Sequence, residues 1–136
     1  MAQKINDQAI ETALAAVAFN DAGLVPAMAT QHDTGEALML AWMNADSIRK
    51  TLETGEVHYW SRSRAALWHK GESSGQIQAL KEMRVDCDGD TILLLVDQTG
   101  VACHTGRRSC FFRAFRDGDW VEIEKVITPP DELYGS

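Results

Sequence analysis

Val85-Asp86-Cys87-Asp88-Gly89-Asp90-Thr91-Ile92-Leu93-Leu94-Leu95-Val96 packs three carboxylates and a thiol into five residues, then runs into an unbroken apolar stretch. Thr91–Val96 reads as a buried strand, and Ile77–Val85 upstream reads as its partner. The acidic segment joins them. Asp-Gly is a favoured turn pair, so one reading of the segment is a plain hairpin turn. A metal site is the other. Three crowded acids repel one another until a cation turns repulsion into attraction, and alternating oxygen ligands suit a hard ion such as magnesium. The thiol suits a softer ion such as zinc. In extended backbone Asp86, Asp88 and Asp90 share one side and Cys87 takes the other. An EF-hand is excluded, because its sixth position must be Gly and here it is Thr91.

Outward from this segment the chain reads as one β-rich domain spanning 1–136. Residues 8–19 are alanine-rich with helical spacing, with Asn6 or Asp7 as the cap. Leu24–Thr30 and Ala37–Met43 flank Asp33-Thr34-Gly35-Glu36, a hairpin signal. Asn44 caps a second helix over about Ala45–Glu53, and Gly55 stops it. Val57–Ser61 and Ala66–His69 are aromatic-rich strands, followed by a polar loop, Lys70–Gly75. Val101–Cys103 and Cys110–Phe115 bracket a second polar loop, and Trp120–Ile123 forms a last strand. The tail around Pro129-Pro130 is expected to pack loosely. The fold class is therefore α+β, mostly antiparallel, with two helices.

The net charge of −7 argues against a nucleic-acid or acidic-membrane partner, which calls for a basic surface. Seven of the thirteen basic residues nevertheless fall between Arg62 and Arg108, the pattern of a local anion site. No apolar run reaches membrane-spanning length and no secretory core opens the chain, so a cytoplasmic location is expected. The three cysteines, Cys87, Cys103 and Cys110, are odd in number and cannot all pair within one chain. Three thiolates leave one position open in a tetrahedral zinc site, the catalytic pattern. Simple burial is the competing reading.

Arg107 and Arg108 lie inside the Cys103–Cys110 loop, and Arg62 and Arg64 lie near Trp60 and Trp68. Arginine matches phosphate with a planar fork, and tryptophan offers a stacking face. Lys70 adds a donor beside the same region. His69 and His104 are the acid–base candidates, since imidazole titrates near neutrality. His58 reads as structural and His32 as exposed. The residues alone thus point to a metal-dependent enzyme acting on a phosphorylated, nucleotide-like small molecule.

Several segments together resemble the phosphoribosyl-AMP cyclohydrolase family of histidine biosynthesis. They are Gly23–Ala27, Leu38–Asn44, Gly55–Arg64, Leu67–Gly75, Val85–Asp90 and Ala102–Phe111, in family order from about Gly23 to Phe115. The resemblance implies hydrolytic opening of the adenine ring of phosphoribosyl-AMP. It implies zinc on Cys87, Cys103 and Cys110, drawn from both chains of an intertwined homodimer, and magnesium on Asp86, Asp88 and Asp90. It gives His69 or His104 the proton transfer. Trp60, Arg62, Arg64, Trp68, Lys70, Arg107 and Arg108 become substrate contacts. A non-catalytic zinc-binding interaction module is the alternative. A zinc nucleobase deaminase is excluded, because neither H-x-E nor P-C-x-x-C is present.

Overall fold

The computed structural model describes residues 6–134. One curled sheet of six strands organises it, in the order β4-β3-β2-β1-β6-β5. The strands are β1 (Val25–Gln31), β2 (Ala37–Met43), β3 (His58–Ser61), β4 (Ala66–His69), β5 (Gln78–Val85) and β6 (Ile92–Gln98). All pairings are antiparallel except β1 with β6, which run parallel. Local patterns did not foresee that central parallel pair, because it joins strands far apart in sequence. Strict alternation buries Val25, Ala27, Ala29 and Gln31 of β1, and Ile92, Leu94, Val96 and Gln98 of β6.

Helices α1 (Asp7–Ala15) and α2 (Ala45–Thr54) pack against each other, and α2 also lies on β3. Asn6 caps α1 by accepting from the Ala9 N–H. Asn44 and Ser47 form a reciprocal capping box on α2, and Gly55 ends it at φ +79°. Their apolar side chains, Ile10, Ile48 and Leu52, complete the core with Leu38, Met43, Val57 and Tyr59.

The sheet curls until its ends meet. The Val57 N–H donates to Gln78 O at 2.9 Å and the Leu80 N–H to Gly55 O at 2.8 Å, tying the segment before β3 to β5. Inside the curl runs a buried polar chain. Tyr59 Oη donates to Gln78 Oε1 at 2.7 Å, and Gln78 Nε2 donates to Gln98 Oε1 at 2.8 Å. The Gln98 N–H donates to Gln31 Oε1 at 3.0 Å. Arg108 closes the chain: its Nη2 donates to Gln31 Oε1 at 2.8 Å, and its Nη1 donates to Gln98 O at 3.0 Å and Gly100 O at 2.7 Å.

Past the cysteine loop, β7 (Arg113–Arg116) and β8 (Asp119–Glu122) form a separate two-stranded ribbon. Three expectations change here. Val101–Cys103 is not a strand but part of a compact loop, and Cys110–Phe112 is irregular before β7. The helices number three among the described residues, since Pro130–Tyr134 forms a short α3. Nor is the tail loose. Leu133 is buried, and the N–H groups of Ile127 and Thr128 both donate to Gly106 O. No helix among the described residues is long and apolar enough to cross a membrane.

Gly106 marks the tightest contact of this tail. It sits at φ +89°, and a Cβ there would lie 1.9 Å from Thr128 O. Gly106→Ala therefore has to break the tail contact and strain the backbone. Thermal melting should show a loss of at least about 2 kcal/mol, in the range of severe backbone substitutions. Arg108→Met removes the donor to the carbonyls of Gln98 and Gly100 and one of the two donors to Gln31 Oε1, which keeps the Gln98 N–H. It should cost on the order of 1–2 kcal/mol in denaturant titration, since the part-buried Gln98 carbonyl loses its partner and an orphaned acceptor costs about 1–3 kcal/mol.

Candidate active site and metal centres

The acidic segment is a turn, not an extended strand, so side-chain alternation does not separate its faces. Gly89 adopts φ +79°, and its carbonyl accepts the Ala18 N–H at 2.7 Å, docking the turn beyond the end of α1. Asp86 Oδ1 accepts the N–H groups of Asp90 at 3.0 Å and Thr91 at 3.2 Å. Turn geometry brings the acids together where strand geometry was expected to. Ligand oxygens of Asp86, Asp88 and Asp90 lie within 4.8 Å of one another. Desolvation, the largest single influence, pushes the Asp86 carboxyl up, but hydrogen bonds from Asp90, the Thr91 N–H and Asp88 together outweigh it and leave it below the ordinary value. Asp90 is raised, first by its hydrogen bond with Asp88 and then by that with Asp86. A small hard cation fits the same oxygens.

The cysteines divide. Cys103 and Cys110 are neighbours because the loop folds back on itself: Ala102 N–H donates to Arg108 O and Cys103 N–H to Arg107 O. The Cys110 N–H donates to Leu38 O at 2.7 Å, and Ser109 Oγ donates to Ala37 O at 2.6 Å, pinning the loop's exit to β2. Cys103 Sγ lies 3.0 Å from Thr105 Oγ1. Cys110 is exposed over part of its surface, yet its crowded sulfur is desolvated. With Cys103 beside it, its pKa is pushed up to about 12. Such a thiol stays protonated unless a cation takes the place of its proton. Cys87, exposed in the acidic turn, is at the other end of β6. Seven strand residues at about 3.3 Å each put on the order of 20 Å between it and the pair. Among the described residues the three thiols of one chain do not form a group; the three acids do.

Near the cysteine loop, strand β4 opens into a polar cleft of about 390 Å³. Arg64, Trp68, His69, Lys70 and Glu72 contribute to its wall. The register of the β3–β4 hairpin places His58 opposite His69, and the two imidazoles stack 4.5 Å apart and 9° from parallel. His69 Nε2 lies 2.7 Å from Glu56 Oε1, and its Nδ1 lies 3.8 Å from Glu72 Oε1. In the tautomer with its proton on Nε2, His69 donates to the Glu56 carboxylate and keeps a lone pair on Nδ1. The sequence reading missed Glu56 and Glu72. Only hairpin register could have revealed Glu56, which lies thirteen residues from its partner.

The other expected residues are distributed unevenly. Trp60 pairs with Trp42 across β3 and β2, and Arg62 stacks on Trp42 at 4.7 Å. Together with Arg64 they border a broader depression next to the cleft. Trp68 packs inward, 5.4 Å from Tyr59. His104 is exposed on the cysteine loop. Arg107 stacks on Phe112 at 4.0 Å, and its Nε donates to Glu124 O at 3.0 Å. Arg108 is held by the buried chain described above. Lys70 reaches the cleft wall, yet it is buried and its Nζ donates to Ala102 O at 2.7 Å.

A curled α+β domain with a histidine–carboxylate cleft, a thiol pair and an acidic turn has the equipment of a hydrolytic enzyme. Residues 39–112 match the family model for phosphoribosyl-AMP cyclohydrolase. The chain is 65% identical over 126 residues to the phosphoribosyl-AMP cyclohydrolase of Rhodospirillum centenum, covering 93% of this chain and 95% of that relative. It is 64% identical over 121 residues to the enzyme of the same name from Paramagnetospirillum magneticum, covering 89% and 92%. The counterpart in Granulibacter bethesdensis is 63% identical over 121 residues, covering 88% and 94%. The chain belongs to the phosphoribosyl-AMP cyclohydrolase family, and it is an enzyme.

Burial holds the His58 imidazole below its ordinary value, with the backbone acceptor at Glu56 opposing. Its folded pKa thus lies below that of the unfolded chain, and the unfolded state binds the proton first. The His58 contribution to stability is full above about pH 6.5 and is lost as pH falls toward the folded value. Melting temperatures measured from about pH 7.5 down to about pH 5, through the ordinary histidine range, should decline at the acidic end. The decline should be shallower in His58→Gln.

Proposed function

We propose that this chain opens the adenine ring of phosphoribosyl-AMP with water, a step of L-histidine biosynthesis, and that it works as a metal-dependent homodimer. The near-full-length identity with enzymes of that name carries the reading. In this reaction the water oxygen bonds to the ring carbon that bears the exocyclic amine. The bond from that carbon to the adjacent ring nitrogen breaks, that nitrogen takes up a proton, and an imidazole carboxamide results.

Arg62 and Arg64, both exposed beside the cleft, bind the substrate's phosphates, while Trp60 and Trp68 offer ring faces. Arg107 and Arg108 contribute from the cysteine loop, chiefly by holding its shape through the contacts they already make. His69 takes the proton from water at Nδ1, with Glu56 fixing the ring through Nε2. His104 is the second candidate for this task. Cys103 and Cys110 hold zinc with Cys87 of a second copy, and Asp86, Asp88 and Asp90 hold magnesium. When bound, zinc makes water acidic near neutral pH and magnesium neutralises phosphate charge.

The separation of Cys87 from the thiol pair supports the shared site, since only a second chain can supply the missing thiol. The β7–β8 ribbon supports it as well. Two isolated strands are marginal in water, yet these expose Phe115 and Trp120 at 62% each. Ile127, beyond them, is 65% exposed. A partner covering this apolar surface stabilises it.

His69→Ala should lower kcat by roughly 100-fold or more, within the general-base range. Cys110→Ala should lose both bound zinc and ring opening, followed by metal analysis and by absorbance of the imidazole product. Full activity in a zinc-free Cys110→Ala protein would refute the zinc role. Sedimentation of the zinc-loaded protein should give a dimer, and a monomer retaining full zinc occupancy would exclude sharing. A non-catalytic zinc module would hold zinc and show no magnesium-dependent turnover.

A further inference from the structure

Lys70 is poorly placed to be the phosphate ligand its cleft position suggests. It is 6% exposed, and Trp68 lies 5.6 Å from its Nζ. Its backbone N–H is tied to Val57 O at 3.1 Å, so the residue is anchored at both ends. Among the described residues no carboxylate forms an ion pair with it. A buried ammonium with one carbonyl acceptor and no anion is costly. The loop that Ala102 leads into carries two thiols, neutral while protonated and anionic only when a metal replaces the proton. Burial disfavours the charged form of Lys70, and the sulfurs of Cys103 and Cys110 lie close enough to act on it. The acceptor of its Nζ–H is the carbonyl of Ala102, the residue directly before Cys103.

We propose that Lys70 is the counter-cation and positioning residue of the thiol pair: it anchors Cys103 through Ala102 O and balances the thiolates once they are metallated. The inference rests on the zinc site proposed above. Three thiolates around one Zn²⁺ leave a net charge of −1, and a single buried ammonium neutralises it. The chain thereby avoids burying an uncompensated anion beside the substrate. This is a role apart from the substrate contact expected for Lys70.

The test compares wild type, Lys70→Met and Lys70→Arg, each as full-length protein, by chelator competition for bound zinc. Lys70→Met keeps the length of the stem and removes the charge. Zinc affinity should fall roughly 10–100-fold in K70M, the usual effect of removing an outer partner of a metal ligand. K70R should recover most of that loss. Cobalt(II) provides a second readout that simple loosening of the fold does not imitate. Without the neighbouring cation the thiolates are more electron-rich, so the thiolate-to-cobalt charge-transfer band should move to longer wavelength in K70M. Wild-type zinc affinity and an unshifted cobalt band in K70M would overturn the role of Lys70. So would a K70R protein that is folded by circular dichroism and binds zinc as weakly as K70M. Failure of the wild-type protein itself to bind zinc would instead overturn the zinc site.

Discussion

The guanidinium of Arg108 is the joint on which the rest of this structure depends. It donates to the side chain of Gln31 on β1 and to backbone carbonyls of Gln98 and Gly100, at and just beyond the end of β6. The loop that carries Cys103 and Cys110 has no regular ladder of its own, so its shape rests on such contacts. A planar fork with five donors can satisfy several acceptors at once, which a lysine cannot. Gln31, Gln98, Gln78 and Tyr59 extend the connection through the core. No buried side-chain polar atom among the described residues lacks a partner, which makes the network stabilising instead of costly.

A second constraint is length. The β5–β6 hairpin puts the acidic turn at one end and the cysteine loop, with the cleft nearby, at the other. Strand rise is nearly fixed, so no side-chain movement brings Cys87 to Cys103 within one chain. Carboxylates gather at the far end because a turn around Gly89 crowds them. The three carboxylates and the Cys103–Cys110 pair of one chain therefore stand at opposite ends of the hairpin.

The histidine pair shows how local chemistry borrows from tertiary register. His58 and His69 differ by eleven positions, yet cross-strand pairing stacks their rings. Glu56 then receives one nitrogen of His69 and its own carbonyl accepts from His58 Nδ1 at 2.8 Å. One short segment before β3 therefore orients both imidazoles.

By itself the sequence determined the element order, most strand boundaries, both long helices with their Asn caps, and the family. These follow from short-range causes: alternation along strands, capping side chains at helix starts, and glycine at the turn and cap positions that need positive φ. The acidic cluster of Asp86, Asp88 and Asp90 was legible as a group of neighbouring carboxylates, because the three lie within five residues. Only the tertiary structure decided that β1 and β6 pair in parallel and that the acidic segment converges as a turn. It alone showed Arg108 to be a clamp and Lys70 to be buried against Ala102 O. It also paired His69 with Glu56 and drew the tail onto Gly106. Each of these depends on contacts between residues distant in sequence, whose partners no local pattern names.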